Sequence, residues 1–544
     1  MTMRSFLTAL LTFAIAAVLL AGGGFAWVLA QSPLTLRDGG VTATPTAARF
    51  VPRQAPVMLS LLVNPDRLEA LVQSQTPLKA RRALRQEWQK LKAGLLAQTG
   101  LDYRRDIRPW LGEEMTVALT ALDYDRNPEN GQQPGYLLAV QAKNGELARE
   151  FLQLLYAQRA TAGQADLVFE QYKGVNLVYP RQRNATTATA PAINTVASAV
   201  VGDRYILFAN HPKVLKTAIN NVQVTALNLS QSTAYQAALA NLKQPHIGLA
   251  YVNPLSVTQG IEPDTLLPTL TLALTLAQRG LVADTTITGL QDTVRSRPQL
   301  GQPVAALGYL PPQTSVTAAG TDLAQLWQQV ATGLGADSLV WASVQAAMAS
   351  VQAPLGLDLV TNIFSWVRGD YAVSLLPNRD WILAAHYSEA AATALTQLDA
   401  LAQAQNLSLA ELSIAEIPVT VWTELVAQGG RVDAQVQGVH AQVGEYVLLS
   451  NSLNVMTNMV QPQRASLLEN PAFKGAIAQL PVPNTGYFYL DWPKVQPLLE
   501  QQFPLLKVFD VAAQPLLENL QSLTLTGQGT ANGVSHARVF LKNH

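Results

Sequence analysis

The sequence predicts an α+β protein: two tandem duplicated units of mainly antiparallel sheet with packed helices, following one N-terminal transmembrane helix. The motif Trp-Leu-Gly-Glu-Glu-Met-Thr-Val-Ala-Leu at residues 110–119 returns at 366–375 as Trp-Val-Arg-Gly-Asp-Tyr-Ala-Val-Ser-Leu. Both copies follow Gly-Leu-Asp and run into an alternating apolar strand. Short strand–turn–strand connections with interspersed helices are typical of antiparallel sheets that carry helices on one face. Residues 5–30 form an uncharged apolar run.

Composition excludes several classes of function. The 544 residues are 49% hydrophobic and 14% charged, which is typical of a globular chain with real cores. Lysine plus arginine equals aspartate plus glutamate at 37 each, so no net field attracts nucleic acid and we expect no nucleic-acid partner. The absence of cysteine excludes disulfides, thiolate metal sites and cysteine nucleophiles.

The apolar run at residues 5–30 is long enough to cross a bilayer of about 30 Å as a helix. A cleaved signal peptide is one interpretation, because Val-Leu-Ala at residues 28–30 resembles a cleavage site. We favour an uncleaved anchor, which explains the full length of the run and the aromatic Trp27 near its far end. Arg4 then predicts a cytoplasmic N-terminus, with the bulk of the chain in the periplasm or thylakoid lumen.

The chain divides by composition and by the repeat. A polar segment rich in Pro, Gly and Thr follows the anchor and is typical of a tether. The first copy is longer than the second, and a Thr- and Ala-rich loop at residues 181–197 accounts for part of the excess. The predicted organisation is a cytoplasmic end (1–4), an anchor (5–30), a linker (31–49), a first α+β repeat (50–303) and a second (304–544).

Hydrophobic periodicity predicts the elements of the first copy. The predicted strands are residues 57–63, 110–119, 136–142 and 172–179, with a strand pair around 202–204. Two helices are predicted at residues 78–98 and 146–159. Two more are predicted to begin after Asn64 and at His211. The second copy aligns almost element by element. The matched pairs are 50–52 with 309–311, 136–139 with 381–384, 201–207 with 443–449, 234–239 with 472–477, and 251–254 with 489–493.

Residues 265–278 are ambiguous, because Leu270–Leu276 alternates leucine with threonine or alanine and alone indicates a strand. We align this segment with residues 497–519 of the second copy, where the leucines have helical spacing. We therefore predict a helix at 265–278. These leucine-rich segments are candidates to line a pocket for a lipid or pigment-like ligand, or to form the interface between the copies, which we favour. Strands are predicted to end each copy, at residues 281–290 and 520–541.

The anchor, the Phe-Val-Pro opening at residues 50–52, the motif at 110–114 and the Gly-Asp-Arg-Tyr hairpin at 202–205 together resemble a cyanobacterial family, the domain-of-unknown-function family 3352. The resemblance covers nearly the whole chain from Phe50 onward. It implies membrane-anchored proteins of cyanobacterial source, and no catalytic residue to transfer. The second copy has Arg-Gly-Asp at residues 368–370 in place of Gly-Glu-Glu, which argues against any role that needs both acidic residues in both halves.

The motif supplies carboxylates at equivalent strand entries, namely Glu113 and Glu114 in the first copy and Asp370 in the second. Paired carboxylates can transfer protons or bind a hard cation. The alternative, which we favour, is a structural motif: a polar turn that enters a strand, with Trp110 and Trp366 as core anchors. Glu114 and Asp370 then have structural roles.

No catalytic or metal motif is recognisable elsewhere. The histidines are scattered and none has the i, i+4 spacing of metal ligands; they are His211, His246, His386, His440, His536 and His544. The sequence has no Gly-x-Ser-x-Gly elbow and no phosphate-binding glycine loop with a lysine. We therefore expect no enzyme, no cofactor and no metal.

The predicted helix at residues 78–98 has a Leu/Trp stripe on one face and is basic on the others. Its candidate contacts to anionic headgroups are Lys79, Arg81, Arg82, Arg85, Lys90 and Lys92. An ordinary solvated face is the alternative, and we favour it.

Three functions follow in order of preference. The first is a membrane-anchored extracytoplasmic scaffold or interaction protein that acts through protein partners. The second is a carrier of a lipid-like or other apolar ligand in a groove between the repeats, and the third is an unrecognised hydrolase.

Overall fold

The computed structural model describes most of the chain outside the N-terminal segment. The described residues are 40–67, 82, 101–127, 131, 133–161, 167–181, 196–240, 242, 244–253, 269–277, 280–288, 299–334, 345, 348–349, 352, 358–428, 431–496, 520–531 and 533–543. The anchor predicted at residues 5–30 lies outside them. Within them, no helix combines the length and the apolar character needed to cross a membrane.

The described residues form two compact units, an N-terminal unit within residues 40–288 and a C-terminal unit within residues 299–543. Each contains an antiparallel sheet with helices packed on it, so the α+β class predicted from the sequence is confirmed.

The N-terminal unit contributes ten strands. They are β1 (Val57–Leu61), β2 (Leu111–Ala121), β3 (Gly135–Ala142), β4 (Leu167–Tyr172), β5 (Val175–Pro180), β6 (Ala197–Val201), β7 (Tyr205–Ala209), β8 (Gly248–Val252), β9 (Thr269–Ala277) and β10 (Gly280–Thr288). Its helices are α1 (Gly145–Thr161), α2 (Pro212–Gln223) and α3 (Thr233–Ala240), with a π-helical turn at Tyr103–Ile107 and 3-10 turns at Thr46–Arg49, Thr225–Leu227 and Leu229–Gln231.

The C-terminal unit contributes another ten strands. They are β11 (Val316–Thr321), β12 (Asp370–Leu375), β13 (Trp381–His386), β14 (Ser408–Ile414), β15 (Ile417–Gln428), β16 (Arg431–Val443), β17 (Tyr446–Ser450), β18 (Gly486–Asp491), β19 (Leu520–Ala531) and β20 (Val534–Asn543). Its helices are α4 (Leu323–Leu334), α5 (Leu359–Asn362), α6 (Glu389–Ala404), α7 (Leu453–Met459) and α8 (Pro471–Ile477), with 3-10 turns at Ala305–Tyr309, Phe364–Trp366 and Leu467–Glu469.

The two sheets have the same strand order, and every pairing is antiparallel. In the N-terminal unit the order is β4-β5-β6-β7-β3-β2-β1-β8-β9-β10. In the C-terminal unit it is β14-β15-β16-β17-β13-β12-β11-β18-β19-β20. Each strand of one unit therefore has a counterpart at the same place in the other.

Each sheet buries apolar residues on both faces, because successive side chains of a strand point to opposite sides. In β7, Leu207 packs in a cluster with Phe50 and Leu215 of α2, while Ile206 packs in another with Phe151 of α1. In the C-terminal unit, neighbouring residues of β17 likewise enter two different clusters. This explains the nearly continuous apolar runs in the central strands.

An aromatic pair occupies the same position in both cores. Tyr235 of α3 meets Tyr251 of β8 edge-on, with ring centroids 5.1 Å apart and planes at 85°. Phe473 of α8 meets Tyr489 of β18 in the same way, at 5.2 Å and 81°. These residues are also matched in the alignment of the two copies.

Two predictions about elements are wrong. Residues 269–277, inside the helix predicted at 265–278, form strand β9, which pairs with β8 and β10. The alternation of leucine and threonine is the correct signal; the error comes from aligning the segment with 497–519, whereas the counterpart of β9 in the sheet is β19. The strand predicted at 172–179 is observed from Val175 onward as β5, but its predicted start is wrong, because Lys173 and Gly174 both take positive φ and form a two-residue turn between β4 and β5.

Candidate functional site

The repeated motif begins with the same anchored turn in both units. The indole Nε1 of Trp110 donates to the carbonyl oxygen of Asp106 at 2.7 Å, and that of Trp366 donates to Asn362 at 2.8 Å. Both indoles are buried, at 3% and 7% exposure. The structure thus places both tryptophans in the apolar cores, at the entrance of β2 and just before β12.

The next conspicuous residue of the motif, Glu114, is a buried carboxylate that holds another segment in place. Its Oε2 accepts from the backbone N–H and hydroxyl of Thr46 at 3.0 and 2.5 Å, and its Oε1 accepts from the N–H of Ala47 at 2.7 Å. The hydroxyls of Tyr205 and Thr116 donate to it at 2.9 and 3.2 Å. Five donors therefore converge on one side chain that is 4% exposed.

These bonds fix the first turn of the 3-10 helix Thr46–Arg49 on the sheet. The N–H groups at the start of a helix have no partners within it, and here a carboxylate from β2 accepts from two of them. Burial, reinforced by the charge of Glu114, raises the pKa of Tyr205 to about 12, so its phenol remains a hydrogen-bond donor at neutral pH. Phe50 and Arg49 pack against the Tyr205 ring, at 5.0 Å between centroids and 5.1 Å from the guanidinium carbon.

Asp370 occupies the position of Glu114 in the C-terminal unit. Strands β12 and β13 pair Tyr371 with Ala385, so the preceding residue, Asp370, lies beside His386 on the neighbouring strand. Glu114 lies beside Gln141 in the same way. No described residue donates a hydrogen bond to its carboxylate. Burial raises the pKa of Asp370, and the charge of His386 opposes that rise.

The neighbours of Asp370 repeat the aromatic surroundings of Glu114. Tyr446 begins β17 as Tyr205 begins β7, and its ring lies 4.9 Å from that of Tyr309 and 5.8 Å from that of His386. Burial and the charge of Asp370 raise the pKa of Tyr446. The guanidinium of Arg464 lies 4.1 Å from the Tyr309 ring. Arg49 is the arginine that packs on the aromatic rings in the N-terminal unit.

The third motif carboxylate, Glu113, faces an open cleft of about 760 Å³ in the N-terminal unit. The ends of β2 and β3 and the β6–β7 turn form its walls. Its lining residues are Asn64, Asp66, Arg108, Leu111, Gly112, Glu113, Gln141, Ala142, Lys143, Gly202, Asp203 and Arg204.

Each carboxylate in the cleft is already paired with an arginine. Asp66 accepts from Arg108 at 2.9 Å, and Glu113 accepts from Arg67 at 3.0 Å. Asp203 forms an ion pair with Arg149 of α1.

Three donor groups in the cleft lack a carboxylate partner among the residues that the structure describes. Of these residues, Lys143 donates to a backbone carbonyl alone, that of Arg108, at 2.8 Å. The guanidinium of Arg204 has no acceptor among the described residues. Gln141 uses its Oε1 to accept from the N–H groups of Glu113 and Glu114 at 3.2 and 3.3 Å, which leaves its amide NH₂ without an acceptor within the described part of the chain.

The sequence does not indicate this cleft. Of its lining residues the repeat singles out only Glu113, and the Gly-Asp-Arg turn at 202–204 is predicted as a hairpin alone. The residues come together because β3 pairs with both β2 and β7. Strand order of this kind has no signal in a single sequence.

The described histidines serve separate local roles. His211 caps α2 by accepting from the N–H of Lys213, and burial lowers its pKa. His440 bonds through Nε2 to the carboxylate of Asp399 at 2.9 Å, and the same oxygen accepts from Trp422 at 2.7 Å. In the described ranges no three His, Asp or Glu side chains are grouped as metal ligands.

The basic residues predicted to contact headgroups lie almost entirely outside the described residues. Arg82 alone is described, and it is exposed. Membrane contact by Lys79, Arg81, Arg85, Lys90 and Lys92 stays a prediction. The candidate apolar lining at residues 265–278 is strand β9 in its described part.

Comparison with known proteins places the chain in a family. A search of curated proteins finds no match. A solved structure entitled "Structure of crystal form I of TP0453" is similar over 45% of this chain and 79% of its own, with 9% identity and a TM-score of 0.23. That likeness is too weak to support a conclusion about fold or function. A family model described as "Protein of unknown function (DUF3352)" matches residues 10–543, and the chain therefore belongs to that family.

Proposed function

We propose that this protein is anchored in a membrane by residues 5–30 and acts outside the cytoplasm by binding a protein partner, without catalysis. The uncharged apolar run supports the anchor, and Arg4 supports a cytoplasmic N-terminus. The plasma or thylakoid membrane of a cyanobacterium is the proposed location. An internal duplication is part of the proposal, supported by the shared strand order and the matched aromatic pairs.

The observation that carries the proposal is the outer edge of the N-terminal sheet. Strand β4 lies at the end of the strand order, and β5 is its only neighbour among the described strands. Phe169, in the middle of β4, is 73% exposed, and Leu154 of α1 is 56% exposed. A free strand edge next to an exposed aromatic is typical of sites where a partner adds a strand and docks a side chain.

The corresponding edge of the C-terminal unit has the same form. Strand β14 pairs with β15 alone among the described strands, and Leu412 at its centre is 40% exposed. The partner we propose is therefore a protein that contributes an extended segment, whose backbone pairs with the edge strand while an apolar side chain covers Phe169.

The absence of catalysis is supported by how the motif carboxylates are used. Glu114 accepts five hydrogen bonds from protein groups, and Glu113 accepts from Arg67 and from the N–H of Asn64 at 3.0 Å each. A general base needs a lone pair directed at a substrate. Both oxygens of Glu114 and the Oε2 of Glu113 are occupied by structural donors, whereas Asp370 has no donor among the described residues.

Site-specific photo-crosslinking in intact cells tests the proposal. A benzoylphenylalanine replaces Phe169 in the full chain, and membranes are washed with carbonate before analysis. We expect one discrete adduct in the washed membrane pellet, with a mass that identifies the partner as another protein. The variant Gln171→Glu adds a charge next to the crosslinker. It should leave the chain in the membrane pellet, because the anchor and not the edge strand holds the chain there.

Leu227 supplies the matched control, because it is 50% exposed and lies on a 3-10 turn rather than in a strand. The same crosslinker there should give no discrete adduct. Equal adducts at both positions, or none at Phe169, would overturn the docking edge. Recovery of the chain in the carbonate supernatant would overturn the anchor.

A further inference from the structure

We propose that the cleft of the N-terminal unit is a binding site for an oxyanion, a small molecule or headgroup that carries phosphate or carboxylate groups. Lys143, Arg204 and the amide NH₂ of Gln141 are the residues that would hold it. This site is separate from the edge strand β4 and does not depend on the protein partner proposed above.

The balance of charge in the cleft carries the inference. Its three carboxylates, Asp66, Glu113 and Asp203, are each neutralised by an arginine, as described above. With Arg67 and Arg149 counted, the three carboxylates face five cations, so two positive charges are in excess among the described residues. Those two charges, on Lys143 and Arg204, are the ones without a carboxylate partner.

The carboxylates also make the site selective. A bound cation would have to displace an arginine from Asp66, Glu113 or Asp203. An anion meets donors that no described carboxylate occupies, of which Lys143 uses one N–H for the carbonyl of Arg108. Oxyanions are bound most strongly by charged N–H donors, because these hydrogen bonds are about twice as strong as neutral ones.

The donors are mounted on fixed backbone. The N–H of Lys143 donates to the carbonyl of Trp110 at 2.8 Å, and the N–H of Ala142 donates to the carbonyl of Arg204 at 2.7 Å. Gly202 and Asp203 both take positive φ, which forms the tight turn that presents Arg204. A rigid backbone lowers the entropy lost on binding.

The volume of the cleft fits a small organic anion. About 760 Å³ lies inside the range of roughly 300–1,000 Å³ that small-molecule sites occupy. The walls are polar, since Leu111 is the only large apolar residue among those lining the cleft. An apolar ligand would therefore gain little there.

The C-terminal unit provides an internal comparison. The N–H of Tyr387 donates to the carbonyl of Glu445 at 2.7 Å, as Ala142 does to Arg204, so Glu445 corresponds to Arg204 and Ser388 to Lys143. The sequence match of 201–207 with 443–449 is therefore wrong by one residue at this turn, since β7 begins at Tyr205 and β17 at Tyr446. A serine and a glutamate of the C-terminal unit thus stand at the positions of Lys143 and Arg204. The anion site belongs to one unit alone.

The test uses calorimetric titration of the full chain in a neutral detergent, with pyrophosphate and citrate as probes. The variant Lys143→Ser with Arg204→Glu transplants the residues of the C-terminal unit into the cleft. We expect at least one probe to bind the unaltered chain, with affinity that falls as salt rises. The double variant should bind it at least about tenfold more weakly, because two charge-assisted contacts are lost.

A matched control makes the same change of charge elsewhere in the N-terminal unit. Lys213→Ser with Arg53→Glu alters two exposed residues outside the cleft and should leave the affinity within about twofold. Both double variants change exposed side chains, so their melting temperatures should match that of the unaltered chain. Equal weakening by both pairs would assign binding to net charge and overturn the site.

Detergent micelles doped with phosphatidylglycerol, compared with phosphatidylcholine, identify the source of the anion. Binding of phosphatidylglycerol that needs Lys143 and Arg204, without binding of either free probe, would support the site with a lipid headgroup as its ligand. No binding of pyrophosphate, citrate or phosphatidylglycerol would overturn it.

Discussion

The two units place a carboxylate at the same point of the same sheet and use it differently. Glu114 accepts five hydrogen bonds and fixes the 3-10 helix Thr46–Arg49. Asp370 has no donor among the described residues, and burial raises its pKa. The corresponding 3-10 helix, Ala305–Tyr309, still packs against β12, but within the described part of the chain no side chain accepts from the N–H groups at its start.

The difference has two causes that can be read from the residues. Aspartate is one methylene shorter than glutamate, so its oxygens extend less far toward the 3-10 helix. The helix itself starts with Ala305, which lacks the hydroxyl that Thr46 contributes. The comparison indicates that the motif carboxylate is a latch that holds the 3-10 helix in place where it reaches it, and is a partly buried charge without a described donor where it does not.

The largest expected effect is the loss of the latch. Glu114→Ala leaves the N–H groups of Thr46 and Ala47 without their acceptor in a buried place, while the hydroxyl of Tyr205 keeps only the hydroxyl of Thr46 as a partner. We expect the free energy of unfolding of the N-terminal unit to fall by about 3–5 kcal/mol, since each unsatisfied buried donor costs about 1–3 kcal/mol. Urea unfolding of the full chain measures it.

Asp370→Ala is the matched control, because it removes the equivalent carboxylate where no described donor depends on it. Its effect on unfolding should stay below about 1 kcal/mol. Equal losses in the two variants would contradict the assignment of the latch to one unit.

Exchanging the lengths of the two side chains has a smaller effect and tests the cause directly. Asp370→Glu should let the carboxylate accept from the N–H groups that start the 3-10 helix Ala305–Tyr309, and stabilise the C-terminal unit by about 1 kcal/mol. Glu114→Asp should weaken the N-terminal unit by about 1–3 kcal/mol. Denaturant midpoints at constant slope report both changes.

A destabilising Asp370→Glu would show that space, and not reach, sets the difference between the units. Unchanged stability in Glu114→Asp would likewise show that the length of the side chain is not the cause.

The sequence predicted the parts of the fold that depend on local pattern. The motif strand, the hairpin around Gly202 and the helix after His211 were found because alternation, turn residues and caps are encoded within a few positions. Strand β9 has such a signal, and an alignment across a gap overrode it. The strand order could not be derived, because pairing between distant strands leaves no local mark.

The candidate site divides in the same way. Glu113, Glu114 and Asp370 were identified from the repeat, which exposes equivalent positions without a structure. The donor set of the cleft was missed, since Lys143 and Arg204 are separated by 61 positions and look like ordinary surface cations. Only the pairing of β3 with β7 brings them to one cleft.

The smallest expected effect is on the pH dependence of stability. An aspartate whose pKa is raised in the folded state favours folding when protonated, so Asp370 costs stability above the raised pKa and the cost disappears as pH falls toward the unfolded value near 3.8. Asp370→Asn should therefore stabilise the C-terminal unit at neutral pH by a few tenths of a kcal/mol, because solvent screens the group. The gain should vanish below about pH 4.

His386 sharpens this last comparison, because its positive charge opposes the rise in the pKa of Asp370. Replacing it by the residue found at the equivalent place, His386→Gln, removes that charge. In this background the gain from Asp370→Asn should grow, because no charge at position 386 then opposes the rise in the pKa of Asp370. Thermal unfolding of the four chains between about pH 4 and 7 measures the coupling. A gain that is the same with either residue at 386 would mean that Asp370 titrates independently of its neighbour, and that His386 has no part in the difference between Asp370 and Glu114.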